Sequence, residues 1–367
     1  MSLVLFVMLM FYAISICLLI YGFTKVKKYQ KTNLTPQTSF TIIVPFRNEA
    51  ENLPKLLESF SNLNYPNDLF EVILVDDNST DAFKLSIVNY QLSIIENIRV
   101  SNSPKKDAIS TAMQDVKTNW VITTDADCMV PENWLMAFDN YIQENTVSML
   151  ASAVSYVCKN SFLDHFQQLD LTSLQGATIG SFGLKKAFMC NGANLAYTKS
   201  LFEKLNGFEG NDKIASGDDV FLLQKAADLF PDEVHYLKSE ETIVITNPTE
   251  NWKALFHQRV RWAAKTSSYQ SNFGKFLGLI VFFGNLSFVI GFVFFLFGLW
   301  SLELLALYAI LKFAVDFVLL YITNQFLTRT KIKHLIVSSF FYPFFSSAVA
   351  LYSLFGFYEW KERRFKV

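Results

Sequence analysis

The stretch VITTDADCMV (residues 121–130) begins as an apolar, β-branched run and ends with two acids, Asp125 and Asp127. A carboxylate costs most where water is scarce, so paired acids at the end of a buried strand need a cation or another positive group nearby. Solvated acids in a loop are the plain explanation. A divalent cation held by hard oxygen ligands is the sharper one.

Two similar strands precede this one. FTIIVPF (residues 40–46) and EVILVDD (71–77) are typical of buried parallel strands, and NEAENLPKLLESF (48–60) between them predicts a helix with acids in its first turn. This alternation indicates a doubly wound, mostly parallel α/β sheet, whose ligands lie outside the carboxyl ends of the strands. We therefore expect Asp76 and Asp77 to share one edge of the sheet with the later pair of acids.

The ends of the chain are of membrane type. Of the 367 residues, 51% are hydrophobic, and they concentrate at the two ends rather than in the middle. Residues 2–23 are uncharged and long enough to cross a bilayer, without the features of a cleaved signal peptide, so residues 1–24 predict an N-terminal anchor. The basic linker 25–37, which opens with Lys25, Lys27 and Lys28, places the domain 38–270 in the cytoplasm by the positive-inside rule.

Residues 271–367 form a second membrane region, with apolar stretches near 276–300, 302–326 and 335–357 and a basic tail. We expect two or three of these stretches to span, which makes the chain a multi-pass integral membrane protein.

A charged pair lies within the second of these stretches. Lys312 and Asp316 are four residues apart on one helical face, and a self-neutralising pair is favoured over a functional one.

The direction of the tail depends on the last stretch. Three full spans would carry the basic tail, including Lys361 and Arg363, to the outside, against the positive-inside rule. We therefore expect a cytoplasmic tail, with Pro343 breaking the last stretch into a re-entrant or interfacial hairpin.

Charge and cysteine usage exclude several functions. The net charge is −1, so nothing draws the chain towards nucleic acid. The four cysteines show no paired or metal-type spacing, which indicates free thiols in a reducing compartment. The four histidines are scattered and predict no zinc site.

Three further motifs follow along the chain. NGANLAY (residues 191–197) places glycine and small residues where a backbone must approach a ligand or another chain closely. SGDDVFLLQKA (216–226) puts two acids at a helix start, where one would suffice as a cap. HQRVRWAAK (257–265) places a glutamine, an arginine and a tryptophan on a helix just before the membrane, where a basic aromatic anchor is the alternative explanation.

In order, VPFRNE, VDDNSTD, KKDAI, DAD, NGAN, GDD and QRVRW resemble the membrane-anchored branch of the family 2 glycosyltransferases, the cellulose-synthase-like and ceramide-glucosyltransferase-like enzymes. The resemblance covers residues 41–262 and the flanking apolar segments. It implies a GT-A type nucleotide-sugar-binding fold and an inverting transfer that depends on Mg²⁺ or Mn²⁺. The implied donor is a nucleotide-diphosphate sugar, with a UDP-sugar as the first choice, and the implied acceptor is a membrane lipid. The implied location is the inner membrane of a bacterium.

The resemblance also assigns roles residue by residue. It gives contacts with the nucleoside, the diphosphate or the acceptor site to Glu49, Asp76, Asp77, Lys105, Asp125, Gln258, Arg261 and Trp262. It gives the metal to Asp125 and Asp127, and the general-base role to Asp219, with Asp218 beside it. Two positions depart from the family pattern: Gly-Asp-Asp replaces Thr-Glu-Asp, and Pro104 stands where glycine is commoner. The first departure puts a processive activity in doubt.

Three alternatives remain open. A processive polysaccharide synthase would need a pore lined by several helices, which three or four spans can hardly enclose. A non-catalytic, membrane-anchored nucleotide-sugar-binding protein would be expected to have lost some of the acids or the Gln-Arg-Trp set, and none is missing. A nucleotidyltransferase would have no need of the Gln-x-x-Arg-Trp helix.

Residues 161–188, with Phe162, Phe166 and Leu169 at helical spacing and Lys185 near their end, predict either an interfacial helix or an ordinary packing helix.

Overall fold

The structure is a computed structural model that describes residues 2–30, 32, 34–83, 88–211, 214–360 and 363–366. It divides into two compact units. The sheet unit comprises Lys27–Val157 and Ala187–Asn247, and the helical unit comprises Met1–Val26, Cys158–Lys186 and Pro248–Val367.

The α-helices of the described residues are α1 (Ser2–Lys25), α2 (Leu53–Ser61), α3 (Pro104–Asp115), α4 (Trp134–Glu144), α5 (Phe162–Gly183), α6 (Lys199–Lys204), α7 (Asp218–Leu229), α8 (Trp252–Ala264), α9 (Asn272–Leu296), α10 (Leu302–Leu327) and α11 (Leu335–Tyr352). The β-strands are β1 (Phe40–Phe46), β2 (Phe70–Asp76), β3 (Gln91–Glu96), β4 (Trp120–Thr123), β5 (Cys128–Met129), β6 (Met149–Ala151), β7 (Val154–Tyr156), β8 (Leu195–Thr198), β9 (Val234–Tyr236), β10 (Val244–Thr246), β11 (Phe357–Trp360) and β12 (Arg363–Lys366).

The sheet unit is built on a mostly parallel sheet, as the sequence predicts. Its strand order is β3-β2-β1-β4-β8-β6-β9, and β8 runs antiparallel to both of its neighbours. A smaller sheet has the order β5-β10-β7. The strands β1 and β2 are buried along almost their whole length because helices and loops cover both faces, which explains their continuous apolar runs.

The first helix of this unit starts later than the sequence suggests. We expected acids in its first turn, but α2 begins at Leu53 and has none there, so Glu49 and Glu51 lie in the preceding loop. Pro54 explains the difference, since proline is favoured in the first turn of a helix, where its missing N–H is not needed.

Among the described residues of the helical unit, four helices are long and apolar enough to cross a membrane: α1, α9, α10 and α11. The helix α5 packs closely on two of them. A Cβ atom on Gly180 would lie 2.4 Å from the carbonyl oxygen of Leu19 in α1, and one on Gly176 would lie 2.6 Å from the Thr323 hydroxyl oxygen in α10. Phe166 is buried against Trp252. The packing-helix alternative therefore describes α5.

The expected charged pair is present in α10. Lys312 Nζ lies 2.8 Å from Asp316 Oδ2, and the Tyr12 hydroxyl of α1 donates to Asp316 Oδ1 at 2.5 Å. The buried Lys312 ammonium is thus paired with a carboxylate, which meets the requirement that a buried charge be paired. The prediction of a self-neutralising pair is confirmed.

The last apolar stretch differs from its prediction in two ways. Helix α11 ends at Tyr352 rather than near residue 357, and β11 then pairs with β12 as an antiparallel hairpin. Pro343 lies inside α11 without breaking it, so the expected hairpin at this proline was wrong. Phe340 and Phe344, on either side of the proline, both pack on Phe288 of α9, and this shared contact holds the two halves in line. Lys361 lies outside the described residues.

Candidate active site

The acids at the strand ends meet at one edge of the sheet. In the order β2-β1-β4, Phe46 is paired with Asp76, and Ile43 is paired with Thr123. All three strands are parallel, so the residues that follow them emerge on the same side. The loops carrying Asp77 and Asp125 begin at this edge, as the sequence predicts.

Lys105, in the first turn of α3, links acids from different loops. Its ammonium lies 2.6 Å from Asp125 Oδ1 and 3.4 Å from Asp218 Oδ2. Burial alone would lower the pKa of Lys105, but the carboxylates of Asp125, Asp218 and Asp219 outweigh it and hold this pKa well above its ordinary value. The lysine is therefore a fixed positive charge that joins the loop after β4 to the start of α7.

Asp219 is held by backbone amides. The N–H of Gly192 donates to its Oδ2 at 2.9 Å, and the N–H of Val220 donates to its Oδ1 at 2.7 Å. The N-cap of α7 is Gly217, with a φ of 86° and no side-chain cap. Neither Asp218 nor Asp219 is thus the N-cap residue, although both lie in the first turn, where the helix dipole favours negative charge.

Gly192 of the NGAN motif permits a close approach. A Cβ atom here would lie 2.9 Å from Asp218 Oδ2 and 3.1 Å from Lys105 Nζ. The Thr123 hydroxyl at the end of β4 donates to the Gly192 carbonyl at 2.8 Å and fixes the loop. The glycine therefore lets this loop approach both the lysine and the acid pair.

The residues expected at the nucleoside are each held by a neighbour. The buried carboxylate of Asp77 accepts from Asn97 Nδ2 at 2.7 Å and lies 3.4 Å from an Arg99 guanidinium nitrogen. Asp76 accepts from the N–H of Ser79 at 2.9 Å, which is a turn contact.

Glu49, also expected at the nucleoside, is buried in the loop after β1. Its carboxylate accepts from Asn52 Nδ2 at 2.6 Å. A neighbouring contact joins this loop to the one after β2, because the N–H of Thr80 donates to Asn48 Oδ1 at 2.8 Å. The two loops therefore form one continuous support at the edge of the sheet.

Asp125 and Asp127 suit a metal ion that arrives with a ligand. The Asp125 side chain is 41% exposed and has one oxygen engaged by Lys105, while Asp127 is partly buried. Among the described residues, no group of three or more His, Cys, Asp or Glu side chains is placed to hold a metal ion. Mg²⁺ typically takes one or two carboxylates and completes its shell with water and substrate phosphates. The donor set therefore fits a metal carried by a diphosphate and does not form a metal cage of its own.

The other expected residues lie on α8 of the helical unit. Gln258, Arg261 and Trp262 belong to this one helix. Between them stands Arg259, which sequence reasoning passed over. Its guanidinium donates to Gln258 Oε1 and lies 4.1 Å from the centre of the Trp262 ring. The motif HQRVRWAAK contains several basic residues, and nothing in the sequence sets Arg259 apart from the others.

Arg99 was also missed in the sheet unit. Its Nε lies 3.1 Å from Asp107 Oδ2, and Asp107 accepts in addition from the N–H groups of Val100 and Ser101. The arginine thus braces the loop before α3 as well as Asp77. Asp107 belongs to the KKDAI motif, but nothing in that motif indicates its partner.

The mostly parallel sheet, with acids and a lysine at its carboxyl edge, is an α/β domain of the GT-A type. A mannosyltransferase from Pyrobaculum calidifontis, PcManGT, solved with GDP-Man and Mn²⁺, shares this fold with a TM-score of 0.59 at 17% identity, over 96% of this chain and 98% of that one. Residues 41–205 match the family model Glycosyl transferase family 2.

Curated relatives match over parts of their length. The probable glycosyltransferase YdaM of Bacillus subtilis is 24% identical over 64% of this chain and 56% of its own. The glycosyltransferase AglE of Haloferax volcanii is 23% identical over 51% of this chain and 61% of its own. A beta-monoglucosyldiacylglycerol synthase of Nostoc is 27% identical over 31% of this chain and 25% of its own. The chain thus spans less than two thirds of these relatives.

Proposed function

We propose that the protein is an inverting glycosyltransferase that moves a sugar from a nucleotide-diphosphate donor, a UDP-sugar first, to a lipid acceptor in the membrane. The observation that carries this proposal is the cluster in which Lys105 joins Asp125 to Asp218 while the Gly192 N–H holds Asp219. A nucleotide sugar needs positive charge for its diphosphate and a base for the acceptor hydroxyl, and this cluster offers both. A non-catalytic binding protein would need only the first.

Transfer breaks the bond between the anomeric carbon and the diphosphate while the acceptor oxygen attacks the opposite face of that carbon. The bonding electrons leave with the nucleoside diphosphate, and the acceptor proton passes to Asp219. The amide N–H groups of Gly192 and Val220 orient the Asp219 carboxylate for this step. Asp218 holds the Lys105 ammonium towards the diphosphate.

Asp125 and Asp127 would hold Mg²⁺ or Mn²⁺ on the diphosphate, where the cation stabilises the charge of the leaving group. Glu49 and Asp77, with Asp76 beside it, would line the nucleoside pocket.

For Gln258, Arg261 and Trp262 of α8, we propose the roles that the family resemblance implies, namely contacts with the diphosphate and the acceptor. Arginine suits a phosphate because its guanidinium presents several donors in a planar fork. Tryptophan offers an apolar face to a sugar ring or a lipid.

A lipid acceptor is supported by the helices. Four of them have the length and composition of membrane spans. A chain that extruded a polysaccharide would need a wide polar pore, because sugar hydroxyls in hydrocarbon must be satisfied. The named activity of the Nostoc relative, glycolipid synthesis, points the same way. For both reasons, a processive polysaccharide synthase ranks second to a lipid glycosyltransferase.

We further propose that α9 and α10 span the membrane and that α11 does not cross it completely. Tyr358 of the terminal hairpin and Val349 of α11 pack on Val260 of α8 in one apolar cluster. Because α8 precedes α9 and the hairpin follows α11, a contact between them requires an even number of crossings in between.

The positive-inside rule orients this arrangement. Lys25 ends α1, and the Trp300 indole, between α9 and α10, donates to the hydroxyl of Ser2 at the start of α1. We therefore place α8, the hairpin and the sheet unit in the cytoplasm, and residues 297–301 outside.

The proposal is tested by product analysis. Purified protein is incubated with Mn²⁺, a panel of radiolabelled nucleotide sugars and a membrane-lipid extract, and the products are partitioned between organic and aqueous phases. We expect label in the organic phase that migrates as one discrete glycolipid. A long water-soluble polymer would identify a processive synthase, and donor binding without transfer from any donor would identify a binding protein.

A further inference from the structure

Arg259 and Asp170 form a buried ion pair within the helical unit. Arg259 Nε donates to Asp170 Oδ2, and the two side chains are 6% and 5% exposed. Arg259 lies on α8 and Asp170 on α5, so the pair ties together two helices that are 89 residues apart at this point.

The guanidinium of Arg259 also contacts residues of its own helix. One nitrogen donates to Gln258 Oε1, and the central carbon lies 4.1 Å from the centre of the Trp262 ring. These are two of the three α8 residues that the proposed function assigns to the diphosphate and acceptor. Arg259 thus contacts both of them while its other edge is fixed to Asp170.

A stabilising role alone does not explain this pair. Removing two charges from water costs several kcal/mol each, and a well-packed apolar pair in such a place is often as stable or more so. Buried ion pairs are best justified where they fix one geometry. Here the geometry is specific, because a guanidinium can donate to a carboxylate from its edge while an aromatic ring packs on its face.

We propose that Arg259, anchored by Asp170, is a positioning residue for the transfer reaction: it sets the orientation of the Gln258 carboxamide and the Trp262 ring. This inference rests on the proposed function, since it assigns those two groups to the diphosphate and acceptor. Arg259 would act through Gln258 and Trp262, not by its own contact with the diphosphate or the acceptor. A misplacement of about 1 Å in a positioned group can cost about 10²-fold in rate, so the effect of losing the pair is measurable.

The first test compares Arg259→Lys with Lys253→Gln in the full-length protein. Lys retains the charge but not the planar fork. Lys253 is a matched control on the same helix, since its side chain is 77% exposed and lies 3.9 Å from Glu359. We expect Arg259→Lys to lower kcat about 10²-fold or to raise the acceptor KM by a similar factor. The Kd for the free nucleoside diphosphate should stay within about threefold and the Tm within a few degrees, and Lys253→Gln should match the wild type.

The second test uses Asp170→Asn, which keeps the volume of the side chain and removes its charge. Because the pair acts as a unit, the double variant Asp170→Asn/Arg259→Gln should lose no more activity than the worse of its two single variants. This comparison also tests the positioning role of the pair if Arg259→Lys alone fails to fold.

Two results would overturn the inference. One is wild-type kinetics in both Arg259→Lys and Asp170→Asn. The other is a parallel fall of kcat, nucleotide affinity and Tm, which would indicate a purely structural pair. Failure of the proposed function is separate, because it would show as absence of transfer in the wild type and in Lys253→Gln.

Discussion

The Lys105 ammonium lies 2.6 Å from a carboxylate oxygen of Asp125, across the gap between the first turn of α3 and the loop after β4. The same ammonium faces Asp218 at 3.4 Å. Three acids, Asp125, Asp218 and Asp219, thus share one lysine as a common cation. In the proposed reaction the diphosphate and its metal enter this arrangement, and the lysine is already in place for the phosphates.

Replacing Lys105 with methionine should weaken nucleoside diphosphate binding. A hydrogen bond to a charged group contributes about 1.5–3 kcal/mol, so we expect a loss of about 10- to 100-fold in affinity. In the methionine variant the metal is the remaining cation among the three acids. The loss of affinity should therefore be larger at low Mn²⁺, where less metal is bound. Isothermal titration calorimetry at two Mn²⁺ concentrations measures the affinity for the nucleoside diphosphate. Lys117→Met, at an exposed position just after α3, is the control, and equal affinities in the two variants would contradict the role of Lys105.

Asp127→Ala should abolish Mn²⁺-dependent nucleotide binding and transfer while the protein remains folded. The residue lies in a loop at the strand end and is only partly buried, so its loss leaves no cavity in the core. Asp68→Ala, at an exposed turn, is the matched control. The measurement is nucleotide affinity with and without a chelator. Full activity of Asp127→Ala in the presence of chelator would rule out the metal role.

Gly192→Ala should reduce kcat/KM by at least about tenfold. The added methyl would lie 2.9 Å from Asp218 Oδ2 and 3.1 Å from Lys105 Nζ, so the side chains must move apart and the Gly192 N–H shifts away from Asp219. A shift of a fraction of an ångström at a reacting centre has effects of this size. Steady-state kinetics and a Tm measurement check it. Unchanged kinetics would show that the close approach has no part in the reaction.

Cysteine labelling tests the proposed topology. With α9 and α10 as the spans after α8, a cysteine at Leu299 should react with an impermeant thiol reagent in intact cells, and one at Lys366 should not react until the cells are opened. Leu299 is 67% exposed, so reagent access is assured once the site faces outwards. The wild type, with its four free cysteines, supplies the background. Labelling of Lys366→Cys in intact cells would require three full crossings and would refute the topology.

The sequence predicts the sheet and the acids at its carboxyl edge well because both depend on local patterns. The run before Asp125 is fully buried in β4, and the acids fall where the parallel strands end. The end of α11 was misjudged for the opposite reason. The chain stays apolar through Phe355 and Phe357, so composition gives no sign that the helix has ended at Tyr352 and that a hairpin follows.

Partners that are distant in the chain were beyond sequence reasoning. Asp170 stands 89 residues from Arg259, and neither residue departs from what a polar helix face would carry. The bracing of Asp77 by Arg99 has the same character. Local periodicity places residues on a face of an element, but it does not say which other element will cover that face.

Asp219→Asn is the most direct test of the proposed chemistry. Asparagine keeps the size of the side chain and one carbonyl oxygen to accept from Gly192, but it cannot take the acceptor proton. A positioned general base contributes about 10²–10⁴-fold, so turnover should fall by that factor while the donor Kd stays within a few-fold. Measured on the same preparation, a loss of donor affinity with unchanged turnover would contradict the assignment and make Asp219 a binding residue.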